Sequence, residues 1–268
     1  MNFTKQSRVT VGAIVAVLIA LGSYFFFSQS EEPSPQQTVT EAPAPSPAPL
    51  PPPVPALPEP EPLELPSLND SDTVIRGLVA ALSSHPGLAA WLVTDDLIRT
   101  FVVSVENVAN GSNPSRHVQF MKPEARFQTE GAEPELRIAD SSYERYDGVS
   151  QIIASLDIAG TAKLYHQLLP LMDEAYTELG IPDATFSDAL RRAVDRTLVT
   201  PIIEGKPRVV PRGPFYEYSD QELQALTAAQ KQLLSMGPNN LRVVQDTIRN
   251  IATAISFENL PRSSVILR

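Results

Sequence analysis

Proline placement constrains this chain more than any other feature. Fourteen of its 26 prolines lie between Pro33 and Pro66, inside a stretch, Ser28 to Ser67, that contains no Lys or Arg. The run Ala42-Pro43-Ala44-Pro45-Ser46-Pro47-Ala48-Pro49, followed by Pro51-Pro52-Pro53, cannot bury a core. Proline pre-sets the extended polyproline II form, so the stretch reads as a semi-rigid, disordered spacer, about 120 Å long if fully extended. The remaining prolines are spread through 70–268 as ordinary punctuation. The spacer therefore divides the chain into a short N-terminal part and one C-terminal domain, with boundaries at 1–8, 9–27, 28–69 and 70–268.

Val9 to Phe27 carries no charge over nineteen residues, which is roughly 28 Å of helix and close to the hydrocarbon thickness of a bilayer. Lys5 and Arg8 precede it and Glu31 and Glu32 follow. The positive-inside bias thus predicts a single transmembrane helix over 9–27 with residues 1–8 in the cytoplasm and everything after it across the membrane. A cleaved signal peptide is the competing reading, because Ala20-Leu21-Gly22 offers small residues to a peptidase. Cleavage there would leave Tyr24 to Phe27 as an apolar tip that makes sense only inside a bilayer. Gly12, Ala16 and Ala20 share one helix face at the spacing that lets two membrane helices approach, so a weak homodimer through that face is an expectation.

The chain holds 21 Lys and Arg against 31 Asp and Glu, a formal net charge of −10. Removing Lys5, Arg8 and the six spacer acids (Glu31, Glu32, Glu41, Glu59, Glu61, Glu64) leaves 19 bases and 25 acids, about −6 for the domain. Such a domain lacks the positive charge that supplies most nucleic-acid affinity, and DNA or RNA binding is not expected. With no Cys in the chain, disulfides, thiolate metal sites and Cys nucleophiles are excluded together.

From residue 70 the periodicity predicts an all-α domain of about six to seven helices, with at most one short β-hairpin. Ser71 or Asp72 caps a helix over Thr73 to Leu82. Thr94 caps a strongly amphipathic one in which Leu97, Ile98, Phe101, Val102, Val105, Val108 and Ala109 recur, ending at Asn110-Gly111. Ser112 to Ala139 loses periodicity and reads as a long loop, the place for the hairpin. Ser141-Ser142-Tyr143-Glu144 resembles a capping box opening a helix to Leu156. A further helix carries Leu164, Leu168, Leu171, Met172, Ala175 and Leu179 to the stop at Gly180-Ile181-Pro182, with Pro170 expected to kink it. Phe186, Leu190, Val194 and Leu198 mark the next. Ile202 to Tyr218 holds five breakers and reads as irregular. Ser219-Asp220-Gln221-Glu222 then opens a helix to Gly237-Pro238, and Leu241, Val244, Ile248, Ile251 and Ile255 form the last.

Several of these segments carry a resemblance. Asp95-Asp96-Leu97-Ile98-Arg99 with Phe101-Val102-Val103, Tyr143-Glu144-Arg145-Tyr146, Asp173-Glu174-Ala175-Tyr176 with Glu178-Leu179-Gly180, and Gln230-Lys231 with Met236-Gly237-Pro238-Asn239 together resemble a proteobacterial family. It is known only as domain of unknown function three thousand and fourteen. The likeness runs through most of residues 70–256. It implies an uncharacterised, membrane-anchored envelope protein, and it supplies no activity, ligand or site.

Chemistry-bearing motifs are few. His85, His117 and His166 have no second ligand at helical spacing, and no HExxH, GxSxG or GxxxxGK[ST] is present. No catalytic residue, cofactor or metal is expected. Asp95-Asp96 and Asp173-Glu174 are adjacent pairs that diverge by about 100° on a helix and do not face each other. Asp95 and Asp96 are expected in a first helical turn, where acids favour the dipole. The segment that stands out is Lys206 to Tyr218. There Lys206, Arg208 and Arg212 alternate with prolines and run into Phe215, Tyr216 and Tyr218. Cationic and aromatic groups on a loop suit an anionic or carbohydrate polymer, or a peptide. Alternatively the aromatics plug the core and the arginines pair with neighbouring acids. Arg145, between Tyr143 and Tyr146, either joins that surface or makes an internal salt bridge.

The expected function is therefore that of a non-enzymatic single-pass inner-membrane protein. Its periplasmic helical domain binds a protein partner or peptidoglycan at a distance set by the spacer. An unrecognised peptidoglycan-acting hydrolase, or its regulator, is the first alternative. An energy-transducing TonB-like adaptor is the second, on architecture alone.

Overall fold

In the computed structural model, which describes residues 65–267, ten helices follow one another along the chain. They are α1 (Asp72–Ala80), α2 (Pro86–Trp91), α3 (Leu97–Ala109), α4 (Asp140–Glu144), α5 (Asp147–Ala154), α6 (Ile158–Thr177), α7 (Phe186–Leu198), α8 (Gln221–Gln224), α9 (Ala228–Leu234) and α10 (Gly237–Ala254). Six short strands, β1 (Thr129–Glu130), β2 (Arg137–Ile138), β3 (Ile202–Glu204), β4 (Val209–Arg212), β5 (Phe215–Tyr218) and β6 (Val265–Leu267), form three two-stranded sheets. The expected membrane helix over 9–27, its small-residue face Gly12, Ala16 and Ala20, and the spacer as far as residue 64 lie outside the described residues.

The expected fold class needs correction. Among the described residues no helix is long and apolar enough to cross a membrane, and the domain is neither purely helical nor built of six to seven helices. Two expected helices are each split. The expected capping box is absent: α4 begins at Asp140 with Ala139 at its N-cap and no side-chain cap, so Ser141 caps nothing, while the Ser142 hydroxyl donates to the Gln128 carbonyl (2.7 Å) and accepts from the Gln128 amide (2.6 Å). The chain then breaks at Arg145-Tyr146, leaving α4 and α5. Between Ser219 and Gly237, Asp220 caps α8, and Thr227 with Gln230 forms a full capping box that starts α9. Two N-terminal caps seven residues apart cannot belong to one helix.

Helix α3 is the axis of the core. Its apolar stripe is buried as the spacing predicts, and it packs on α1, α6 and α7. Phe101 meets Phe186 of α7 at 5.4 Å between ring centroids, and Phe186 meets Tyr176 of α6 at 6.4 Å. Helix α10 closes the other side against α5, α6, α7 and α9. Neither expected device starts α3. Asp96 sits at the N-cap with φ +54° and makes no side-chain cap, so the acid pair is not in the first turn. The Asp72 carboxylate, 24 residues earlier, instead accepts from the amides of Asp96 (2.7 Å) and Leu97 (2.9 Å). Two of the orphan donors of α3 are thus satisfied from α1, which fixes the two helices at that corner. Arg76 adds bonds to the carbonyls of Leu92 (2.6 Å) and Thr94 (2.7 Å).

The 112–139 loop contains the one hairpin foreseen, β1 with β2, paired antiparallel. The segment 202–218, expected to be irregular, is ordered into strands. β3 pairs in parallel with β6 from the C-terminal tail, and β4 pairs antiparallel with β5 across a two-residue turn at Gly213-Pro214. Gly213 has φ +57°, the conformation such a turn demands. Pro170 lies inside a continuous α6.

Candidate functional site

Alternation along β4 and β5 sorts the residues of 206–218 onto two faces. The register pairs Val209 with Tyr218, Pro211 with Tyr216, Val210 with Glu217 and Arg212 with Phe215. Val209 is buried, and Tyr218, half-buried, packs against the core. Tyr216 lies on the same face and meets Phe127 at 5.3 Å, but its outer edge stays 44% exposed. The opposite face points to solvent and holds Val210 (39% exposed), the Arg212–Glu217 pair and Phe215 (73% exposed). Pro211 is accommodated because its missing donor faces away from β5. Two residues earlier the Val209 amide points the same way, donating to the Leu136 carbonyl at 2.9 Å.

All three cations of the segment are paired internally. Lys206 lies 2.9 Å from Glu130 and 2.8 Å from Asp140, Arg208 lies 2.9 Å from Glu135, and Arg212 lies 3.0 Å from Glu217. The first two pairings tie β4 onto the β1–β2 hairpin, helped by a single bridge between Arg137 and Arg208. The carboxylates of Asp140 and Glu130 raise the Lys206 ammonium above the usual lysine range. Among the described residues Arg145 has no salt-bridge partner. Its guanidinium lies 5.4 Å from the ring centroids of Phe127 and Tyr146, and its Nε donates to the Ser142 carbonyl at 2.8 Å. Arg145, Phe127 and Tyr216 therefore form one stack behind the hairpin, while Phe215 stands apart at its tip.

Burial beneath this region pushes the Tyr143 hydroxyl up to about 12, and Tyr218 is raised for the same reason. A folded-state value above the unfolded one leaves stability intact below about pH 10 and removes it as pH rises toward 12. Urea midpoints should fall over that window, and Tyr143→Phe should flatten the fall. A wild-type curve that is level from pH 10 to 12 contradicts the burial of both rings.

A second feature had no signal in the sequence. An apolar pocket of about 390 Å³ opens beside α5 and α9. Its walls are built from Val108, Val149, Ile153, Leu233, Met236 and Val244, contributed by α3, α5, α9, α10 and the turn before α10. Its rim is the 113–123 segment, which includes Asn113, Gln119 and Lys122. Tyr146 reaches the same space, where its hydroxyl accepts from Gln232 Nε2 at 3.0 Å. No pattern of neighbours in sequence marks it, because each wall comes from a different element.

The histidines stay apart. His85 caps α2, its Nδ1 accepting from the Gly87 amide at 3.1 Å, and His166 is exposed on α6. Among the described residues no group of three or more His, Cys, Asp or Glu is placed to hold a metal ion. The segments that carry the resemblance meet as structural clasps. Arg99 bonds Glu178 (2.6 Å) and Asp96 (3.0 Å), Asn240 donates to the Tyr143 carbonyl (3.1 Å), and Gly237 lies against the Tyr143 ring.

No curated protein and no solved structure matches the chain. A family model described as protein of unknown function, DUF3014, matches residues 97–252, from the first turn of α3 almost to the end of α10. That span is more than half of the 268 residues and takes in most of the core helices, the 202–218 strands and every wall of the pocket. The chain belongs to the DUF3014 family.

Proposed function

We propose that this chain is a non-enzymatic binding protein of the bacterial envelope whose helical domain docks on a protein partner through the solvent face of the β4–β5 hairpin. The observation that carries this reading is the division of labour within 206–218. Lys206, Arg208 and Arg212 are spent on carboxylates of the same domain, whereas Phe215 and Val210 are left outward. A cell-wall polymer recognised through charge would need those cations free. An exposed aromatic at the tip of a rigid turn suits insertion into a protein pocket, and burying a phenylalanine there contributes about 1.5–3 kcal/mol. The envelope location belongs to the proposal and rests on the charge asymmetry around Val9 to Phe27 in the sequence. No observation among the described residues favours the hydrolase or the energy-transducing adaptor.

Co-sedimentation of the full chain, in mild detergent, with insoluble peptidoglycan separates the two kinds of partner. The expected result is that wild type and an Arg208→Ala, Arg212→Ala, Tyr216→Ala variant both remain in the supernatant. Pelleting of the wild type alone would sink protein docking and make the hairpin a wall-binding surface.

A further inference from the structure

We infer that the pocket under the 113–123 segment is a seat for an aliphatic chain that ends in an anionic group. Its volume, about 390 Å³, falls in the range of small-molecule sites, roughly 300–1,000 Å³. Val108, Val149, Ile153 and Val244 offer the inserted chain nothing but hydrocarbon. Against such walls an aliphatic chain gains both burial and dispersion contact, and the polar groups that also line the space, Asn113, Gln119, Tyr146 and Gln232, are bonded to one another or to the backbone. Met121 and Met236 also line it, and their unbranched, polarisable side chains adapt to chains of differing length.

The charge around the opening selects the head group. The chain carries a net charge of −10, yet among the described residues none that lines this pocket is an acid. Lys122 is the single charged residue among them. Its side chain is exposed. Among the described residues it has no carboxylate within ion-pairing distance, unlike Lys206, Arg208 and Arg212. A neutral apolar ligand would leave the Lys122 ammonium unused and a cationic one would be repelled by it. A carboxylate or phosphate at the end of an alkyl chain satisfies both halves of the site.

The seat is held in shape without a ligand. Asn113 Nδ2 donates to Gln232 Oε1 at 3.1 Å, Gln119 Nε2 donates to the Ser115 carbonyl at 2.6 Å, and Phe120 packs edge-on to Trp91 at 5.7 Å. These contacts fix the rim to α9 and α2, so the ordering cost is largely met before binding. The inference is independent of hairpin docking, since none of the residues on the solvent face of β4 and β5 lines the pocket.

The test uses the full chain in bacterial cells fed a fatty acid that bears a diazirine and an alkyne. After irradiation the protein is purified and adducts are mapped by mass spectrometry. The expected result is adducts on peptides spanning 108–123, 146–153 or 229–244. The adduct mass tells whether the chain arrived as free fatty acid or esterified in a phospholipid. Val149→Trp, which fills the cavity, should reduce that labelling at least tenfold. Lys122→Glu alters only an exposed side chain, so folding is not at issue, and it should reduce labelling roughly fivefold. Lining peptides without adducts, or yields unchanged in Val149→Trp, would overturn the seat. Loss in Val149→Trp with full retention in Lys122→Glu would overturn the anionic head group.

Discussion

Gly237→Ala should lower the melting temperature of the domain by roughly 6–12 °C, corresponding to about 3 kcal/mol at 2–4 °C per kcal/mol for a domain of this size. Gly237 opens α10 with φ +78°, and a Cβ there would stand 2.5 Å from Cγ and 2.7 Å from Cβ of Tyr143. A left-handed backbone costs a side chain about 1–2 kcal/mol. Overpacking against a ring that cannot retreat adds about 1–3 kcal/mol. Tyr143 cannot swing away freely, because its own carbonyl is held by Asn240 and its helix ends at the next residue. Gly77→Ala is the matched control. Gly77 is exposed inside α1 with nothing within 4 Å of a Cβ, and there alanine should stabilise by about 0.5–1 kcal/mol. Thermal melts of the two variants moving in opposite directions support the close approach of α4 and α10, and overlapping melts contradict it.

Phe101→Ala should cost about 3–5 kcal/mol, read as a lower urea midpoint with an unchanged slope. Phe101 is buried in the middle of α3, and its ring is the link between α3 and the Phe186–Tyr176 pair of α7 and α6. Truncation opens a cavity shared by three helices, none of which can close it without moving the other two. Phe101→Leu keeps most of the volume and should cost less than half as much. Equal losses for the two variants would mean that the ring packing is not what holds these helices together.

Helices whose stability comes from a buried apolar face were legible in the sequence. The stripes of α3, α6, α7 and α10 are buried where the three- and four-residue spacing puts them, except Leu179, which lies past the end of α6 and is exposed. Helix ends were less so, because a cap can come from anywhere in space. Asp72 serves α3 across 24 residues, and Ser142 leaves its own helix to bind Gln128. The strands of 202–218 were hidden by their prolines. Val209-Val210 and Phe215-Tyr216 flanking Gly213-Pro214 did carry a hairpin signal, and Pro211 masked it because the direction of its missing donor depends on a register that sequence does not state. The partner of β3 is the distant tail strand β6, which no local pattern indicates.

The candidate residues divide in the same way. Their types and clustering on one segment were readable, but their partners were not. Glu130, Glu135 and Asp140, which absorb Lys206 and Arg208, belong to the loop and the helix start that precede the hairpin by about seventy residues. That pairing moves the weight of the surface from charge to Phe215. The pocket was invisible for a different reason, being a property of how α3, α5, α9, α10 and the 113–123 segment meet.

The most direct measurement of the central claim is site-specific photo-crosslinking in intact cells, with benzoylphenylalanine placed at position 215. Position 199 serves as the comparison, since Val199 is also exposed (45%) but lies outside the hairpin. The predicted result is a discrete protein adduct from 215 and none from 199. Its yield should not change when the pocket is filled by Val149→Trp. No adduct at 215, the same adduct from both positions, or an adduct carrying wall sugars would contradict docking of a protein partner on the hairpin face.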